Sequence, residues 1–257
     1  MRELFLTATV PASDFDTACA IFQGLTWMTA RQTIYRILYF AGQPVPKGLQ
    51  NMRNLRMTPY APLWSELNRQ LNRSSYVLQT RYEVPPEAGF GKNVGMDFNN
   101  TKGTLLWADL PDPLRDTPVT SRKKIEIPDQ MYLPRILEDN SHTYTNQLIQ
   151  QNYSFARDNV EFVFTRFYHL PEPQGRPVPT LPAWEDLRPA DPAQKWVLTV
   201  RLNVYDDSQP EKIQKANEEL LVVQTELEKL FEFKVIDRRV FDTRITPPKS
   251  VTMPAPP

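Results

Sequence analysis

The segment KWVLTVRLNVYD, residues 195–206, alternates apolar and polar side chains with a period of two. That pattern leaves few folds open. Trp196, Leu198, Val200, Leu202 and Val204 fall on one face, while Lys195, Thr199, Arg201 and Asn203 fall mainly on the other. A slip of one residue would reverse which face is buried. SYVLQTRYEV, residues 75–84, repeats the pattern, with Tyr76, Leu78, Tyr82 and Val84 opposite Gln79, Arg81 and Glu83. Residues 3–10, 33–41, 104–110, 123–127, 145–156, 160–169 and 234–245 are also rich in aromatic or β-branched types, so about nine strands are expected. Arg157-Asp158-Asn159 marks a hairpin turn, because Asp and Asn tolerate the backbone angles a tight turn demands. In the run after it, Phe162 and Phe164 share a face with Arg166 while Val163 and Phe167 occupy the other, which predicts a strand covered on both sides.

Two helical patterns interrupt the strands. Residues 13–24 open on a capping-box-like Ser13-Asp14-Phe15-Asp16 and place Phe15, Ala18, Cys19 and Phe22 on one stripe, with Gly24 as the stop and Cys19 in a core. Pro210–Phe231 repeats Ile213, Ala216, Leu220, Val223, Leu227 and Leu230 at spacings of three and four behind Ser208 as cap, a helix of about 33 Å. A short helix is expected near Met131–Glu138. Strands linked mostly by turns, with few helical crossovers, disfavour a parallel doubly wound sheet. The fold class is mainly β (α+β), a closed antiparallel many-stranded barrel with one long C-terminal helix and a short N-terminal helix; a sandwich is the alternative.

Twenty-five prolines in 257 residues is about twice the usual ~5 %, and they cluster. They predict a barrel domain over 1–246 with a proline-rich surface insertion at 171–192, a loop at Pro111–Pro118 and a flexible proline-rich tail at 247–257. The insertion reads as a linker or, alternatively, as an extended segment that docks a partner.

Composition excludes several function classes. Thirty basic and thirty acidic residues balance, so the chain carries no excess charge to draw it to nucleic acid or acidic lipid, and direct binding to either is not expected. One cysteine, Cys19, and two histidines, His142 and His169, cannot make an internal disulfide, a zinc finger or a Cys/His cluster. No apolar run reaches a membrane span, and the opening MRELFLTATV alternates like a strand rather than a secretion signal, so an intracellular chain is expected.

Candidate chemistry is sparse. Gly89-Phe90-Gly91-Lys92-Asn93 has neither the glycine spacing nor the Ser or Thr of a phosphate loop, and with Gly95 it misses the dinucleotide fingerprint; it reads as a turn. His142 and His169 lack any spaced nucleophile or orienting partner. Lys195, Arg201, Arg36, Arg81 and Arg166 either line a barrel interior and attract an anion or, the commoner case, are solvated or carboxylate-paired surface residues. Arg122-Lys123-Lys124 is too short for a nucleic-acid patch or an import signal. The charges of the long helix, with Glu211 and Lys215 spaced to pair, mark a solvated face. No catalytic, cofactor-binding or metal-ligating residue emerges, no cofactor is expected, and the chain reads as no enzyme.

The ordered features resemble a known family. RELFLTATV with its helix and Gln23-Gly24-Leu25-Thr26, Arg157-Asp158-Asn159-Val160-Glu161-Phe162 leading to Thr165-Arg166, and the strand, long helix and strand from Trp196 to Ile245 are similar to the fungal form of Mediator complex subunit 18. The resemblance implies a many-stranded barrel, similar in fold to the triphosphate tunnel enzymes, that acts as a non-catalytic structural subunit of the Mediator coactivator head module. The implied partners are Mediator subunit 20 as a heterodimer, a helix of subunit 8 as tether, other head-module subunits and RNA polymerase II, in the nucleus. Those tunnel enzymes use a Glu-x-Glu-x-Lys strand for metal and phosphate. Here Arg2-Glu3-Leu4-Phe5-Leu6 and Lys124-Ile125-Glu126-Ile127 each offer one carboxylate, which puts that catalysis in doubt. A divergent triphosphate-tunnel phosphohydrolase and a small-molecule-binding barrel stand as the alternatives.

Overall fold

A computed structural model of the chain describes residues 1–52, 55–85, 89–92, 95–113, 118–170 and 175–246. Among them run ten strands: β1 (Arg2–Val10), β2 (Arg31–Ala41), β3 (Ser75–Glu83), β4 (Gly103–Ala108), β5 (Thr120–Gln130), β6 (Thr143–Arg157), β7 (Val160–His169), β8 (Arg188–Pro189), β9 (Trp196–Val204) and β10 (Arg244–Ile245). Four α-helices are interleaved: α1 (Phe15–Thr26), α2 (Ala61–Leu71), α3 (Leu133–Asp139) and α4 (Pro210–Leu227). The strand pairings are antiparallel, and the order β3-β2-β6-β7-β9-β1-β5-β4 returns to β3 through Gln79 opposite Leu106, closing a barrel. The expected closed antiparallel barrel forms, and no sandwich does.

Alternation decides which way each strand faces. Trp196, Leu198, Val200, Leu202 and Val204 of β9 are all buried, and they point outward from the barrel. Over that wall α1 lays Ala18 and Phe22, and α4 lays Ala216, Leu220, Val223 and Leu227. Across the barrel α2 and α3 press Trp64, Leu67, Leu71, Leu133 and Leu137 against Leu38, Leu78, Trp107, Ile125 and Ile127. The apolar core therefore lies between the barrel wall and its helical jacket, and the polar faces of the strands turn inward. The hairpin at Asp158-Asn159 forms as read, with Asp158 at φ 53°, and β6 and β7 pair up to Arg157 opposite Val160.

Several expectations need correction. No capping box starts α1: Ser13 Oγ donates to Asp14 Oδ1 at 2.9 Å, and a 3-10 turn at Ala12–Asp14 precedes the helix. Gly24 does not stop it; α1 runs to Thr26, and Trp27 takes the left-handed conformation at φ 55°. The long helix ends at Leu227 rather than Phe231, about 27 Å in length, with Leu230 exposed and Ser208 bonded to Asp206 instead of capping. Residues 234–245 are not a strand apart from Arg244–Ile245. The carboxylates of Asp237 and Asp242 accept from the backbone N–H of Arg239 and Arg244, two residues on, at 2.9 and 3.0 Å, and these turns bend the chain. Sequence reasoning missed α2, although Trp64, Leu67 and Leu71 recur at spacings of three and four behind Pro62.

The described part of the proline-rich segment packs on the protein's own wall. Leu181 and Leu187 are buried with Ile34, Val84, Ile149 and Tyr168, and the Trp184 ring meets Phe90 and Tyr168 at 5.0 and 5.1 Å. Its carbonyls serve as acceptors: Val178 O takes a hydrogen bond from the buried Arg36, and Pro182 O one from Gly91 N at 3.0 Å. Arg188–Pro189 pairs with Tyr168 and His169 at the end of β7, beyond the part that β9 covers. The tail at 247–257 and part of the Pro111–Pro118 loop lie outside the described residues. Among the described residues no helix is long and apolar enough to cross a membrane.

Candidate functional site

Directly opposite residues of paired antiparallel strands share a face, so the register carries alternate residues of the barrel strands into one lumen. Glu3 stands opposite Arg122 and Asn203, Arg201 opposite Phe5 and Glu161, Arg81 opposite Ile37 and Thr104, and Glu126 opposite Leu106. The lumen thus collects the cations Arg81, Arg122, Lys124 and Arg201 and the carboxylates Glu3, Glu126 and Glu161.

Glu3 is the hub of this network. It is 1 % exposed, accepts from Arg122 Nε at 2.6 Å and Lys124 Nζ at 3.1 Å, and has Arg201 at 3.8 Å. Lys124 reaches on to Glu126 at 2.7 Å, and Arg201 holds Glu161 at 2.8 Å. Burial pushes the Glu3 carboxyl up, but Lys124, Arg122 and Arg201 outweigh it and hold the pKa at about 2, against an ordinary 4.5. Glu126 is likewise held below the usual carboxylate range, burial being outweighed by Lys124, Arg81 and Arg201.

A pH dependence follows. Because the folded-state pKa of Glu3 lies below its unfolded value, its contribution to stability is complete above about pH 5 and is lost as pH falls toward about 2. Urea unfolding midpoints are therefore expected to drop steeply between about pH 5 and pH 2, and a Glu3→Gln chain to show a visibly shallower drop. Equal slopes for the two chains would remove Glu3 as the source.

Arg81 behaves differently from the other lumen cations. Its guanidinium packs over the Tyr35 ring at 5.2 Å, its Nε is buried without a hydrogen-bond partner, and among the described residues it forms no ion pair. Burial pushes its pKa down, with Glu126 opposing and Arg201 adding repulsion.

The two mouths of the barrel differ. After α4 the chain crosses one of them: Lys234 N donates to Thr7 O at 2.8 Å, Phe241 meets Phe5 edge-on at 5.7 Å, and Val77 N donates to Thr243 O at 2.7 Å. Ile236, Val240 and Phe241 thereby roof a lumen cavity of about 470 Å³. Toward the other mouth a smaller space of about 90 Å³ is lined by Arg31, Tyr35, Arg81, Glu161 and Arg201. A surface groove of about 770 Å³ leads from there along α4, past Met28 and Tyr205.

The candidate residues from sequence are scattered by this geometry. Arg81 and Arg201 line the lumen. Arg36 and Arg166 lie on the outer wall: Arg36 bonds Gln147 at 2.6 Å, and Arg166 stacks on Trp196 at 4.0 Å. Lys195 is exposed. The run Arg122-Lys123-Lys124 is split by the strand's alternation, since Lys123 points outward to Glu66 at 3.0 Å while its neighbours bind Glu3. His142 is buried with Nδ1 3.0 Å from Asn140 O, and burial pulls its pKa down; His169 is exposed at the end of β7. Neither joins the lumen network. Gly89–Lys92 is a turn against the proline-rich segment, with Gly91 at φ 69°; Asn93 lies outside the described residues. Cys19 is half-buried against the α1 core, and burial pushes its thiol up to about 11. On α4, Lys212 pairs with Asp206 and Glu226 with Arg157, whereas Glu211 and Lys215 form no ion pair among the described residues.

Sequence reasoning missed Glu3, Lys124, Glu126 and Glu161 as one constellation. Their signal was present as charged residues on the polar faces of alternating strands, but linear spacing does not show that closure points those faces at one another. Each lumen carboxylate is tied to a basic side chain, and among the described residues no three His, Cys, Asp or Glu side chains gather as metal ligands. The arrangement is a charged, ion-paired wall around a cavity.

A family model described as Med18 protein matches residues 2–244. The Mediator of RNA polymerase II transcription subunit 18 of Coccidioides immitis is 24 % identical over 267 residues, covering 95 % of this chain and all of the relative. That of Aspergillus fumigatus is 24 % identical over 270 residues, covering 95 % and 99 %. Among solved structures, a chain of the Schizosaccharomyces pombe Mediator head module superposes with a TM-score of 0.65 at 15 % identity, covering 92 % of this chain and 99 % of that one, a likeness of fold.

Proposed function

The chain belongs to the Med18 protein family, and from that membership we propose that it is a non-catalytic structural subunit of the Mediator head module, supporting RNA polymerase II transcription by protein-protein contacts in the nucleus. The single observation that carries this reading is the family match across residues 2–244. The lumen chemistry agrees with it, because carboxylates already engaged by Lys124, Arg122 and Arg201 are poorly placed to bind a catalytic cation or to take a substrate proton. Within the reading, residues 1–246 act as one barrel domain, with the proline-rich 171–192 as an addition to it. The finer partners are Mediator subunit 20, paired barrel to barrel, and a tethering helix of subunit 8.

The test is affinity purification of the tagged full chain at native expression, read by mass spectrometry. Head-module subunits, subunits 20 and 8 among them, are expected in stoichiometric yield. Recovery of the chain alone would overturn the assignment, and recovery of other head subunits without 20 and 8 would overturn only the named partners.

A further inference from the structure

The lumen holds one more positive than negative side chain. Arg122 is matched by Glu3, Lys124 by Glu126 and Arg201 by Glu161, and Arg81 is the remainder. At the rim, exposed Arg31 and Glu83 offset each other and leave that balance unchanged. An unmatched guanidinium inside a closed barrel is costly unless an anion neutralises it, since the wall around it replaces water with less polarisable material. Glu126 attracts it without an ion pair and Arg201 repels it from close by, so two guanidinium groups face the same space and only Arg201 holds a carboxylate directly. The space is sufficient: about 470 Å³ falls within the roughly 300–1,000 Å³ of small-ligand sites.

A second unpaired group lines the same cavity. Gln150 donates through Nε2 to Asn152 Oδ1 at 3.0 Å, and its buried Oε1 has no donor. The wall thus offers a spare donor set at Arg81 and a spare acceptor at Gln150. Monohydrogen phosphate supplies the converse, several acceptor oxygens and one P–OH donor. A planar guanidinium matches two oxygens of a tetrahedral oxyanion in a fork.

We propose that the barrel lumen is a binding site for a small phosphate-type oxyanion, held by Arg81 with Arg201 and Gln150. The anion is bound and released unchanged, and it supplies the negative partner that Arg81 lacks among the lumen side chains. This goes beyond the coactivator role and does not depend on it, so its failure would leave that reading intact.

The experiment titrates the full chain with inorganic phosphate at constant ionic strength set by chloride, following the phosphorus NMR linewidth and the thermal midpoint. For the native chain, the phosphate signal is expected to broaden saturably and the midpoint to rise. Arg81→Gln should weaken both responses about tenfold or more while leaving the phosphate-free midpoint unchanged or raised, because it removes a lumen charge that no carboxylate pairs with. Arg166→Gln, on the outer wall, should keep both responses. If Arg81→Gln fails to fold, Arg81→Lys serves instead: it keeps the charge, loses the fork, and must bind more weakly than the native chain. No response in the native chain, a response unchanged by substitution at Arg81, or one lost equally in Arg166→Gln would overturn the site.

Discussion

Glu3→Gln is expected to destabilise the protein by about 3–5 kcal/mol, which is the usual cost of removing one partner from a buried ion pair. The substitution keeps size and shape, so the loss is electrostatic. Glu3 is 1 % exposed and serves Arg122 at 2.6 Å and Lys124 at 3.1 Å, with Arg201 at 3.8 Å. Without its charge, Lys124 retains Glu126 and Arg201 retains Glu161, while Arg122 retains only its packing over the Phe5 and Phe241 rings at 5.0 and 5.5 Å. The comparison is Glu226→Gln on α4, which breaks the exposed pair with Arg157 and should cost no more than about 1 kcal/mol. Urea unfolding near neutral pH measures both. Similar small losses for the two would mean that Glu3 is no more buried in charge than a surface residue.

Phe22→Ala should be the most damaging single truncation of the outer core, at about 3–5 kcal/mol. Phe22 has no exposed surface, and its ring lies 4.8 Å from Phe162, 5.3 Å from Phe231, 5.4 Å from Phe164 and 5.9 Å from Phe155. It therefore joins α1 to β6, to β7 and to the segment after α4, and the cavity left by alanine has walls on three elements that cannot all collapse inward. Cys19→Ala, on the same helix but half-buried, should cost under about 1 kcal/mol. Against a typical total stability of 5–15 kcal/mol, loss of the Phe22 ring removes a large share of the total, whereas loss of the Cys19 thiol does not. Comparable small losses would show that α1 is loosely docked and that the jacket does not carry the core.

The strands were legible because each writes its own period. β9 and β3 show their buried faces in Trp196 to Val204 and in Tyr76 to Tyr82 without reference to any other part of the chain. The direction of those faces was not legible. Alternation separates apolar from polar and is silent on which side closes into a lumen, so Arg81 and Arg201 could not be told from Arg36 and Arg166. The misread segment 234–245 has the aromatic and β-branched content of a strand, but Asp237 and Asp242 spend their carboxylates on backbone N–H groups two residues ahead, a local contest that composition does not score. The proline-rich segment was read through what proline forbids. Its packing depends on what the segment still offers: free carbonyls for Arg36 and Gly91, and the side chains of Leu181, Trp184 and Leu187. The ion-paired site was the least visible part, because Glu3, Lys124 and Glu161 lie on three strands far apart in sequence and become neighbours only by register.

The central feature of the barrel is that the strands turn their charged faces inward. A double-mutant cycle between Glu3→Gln and Lys124→Met, run by urea unfolding at low and high salt, tests it most directly. A buried pair predicts a coupling of about 1.5–3 kcal/mol that salt scarcely changes. A coupling below about 0.5 kcal/mol, or one that salt erases, is the behaviour of an exposed pair and would contradict a charged lumen.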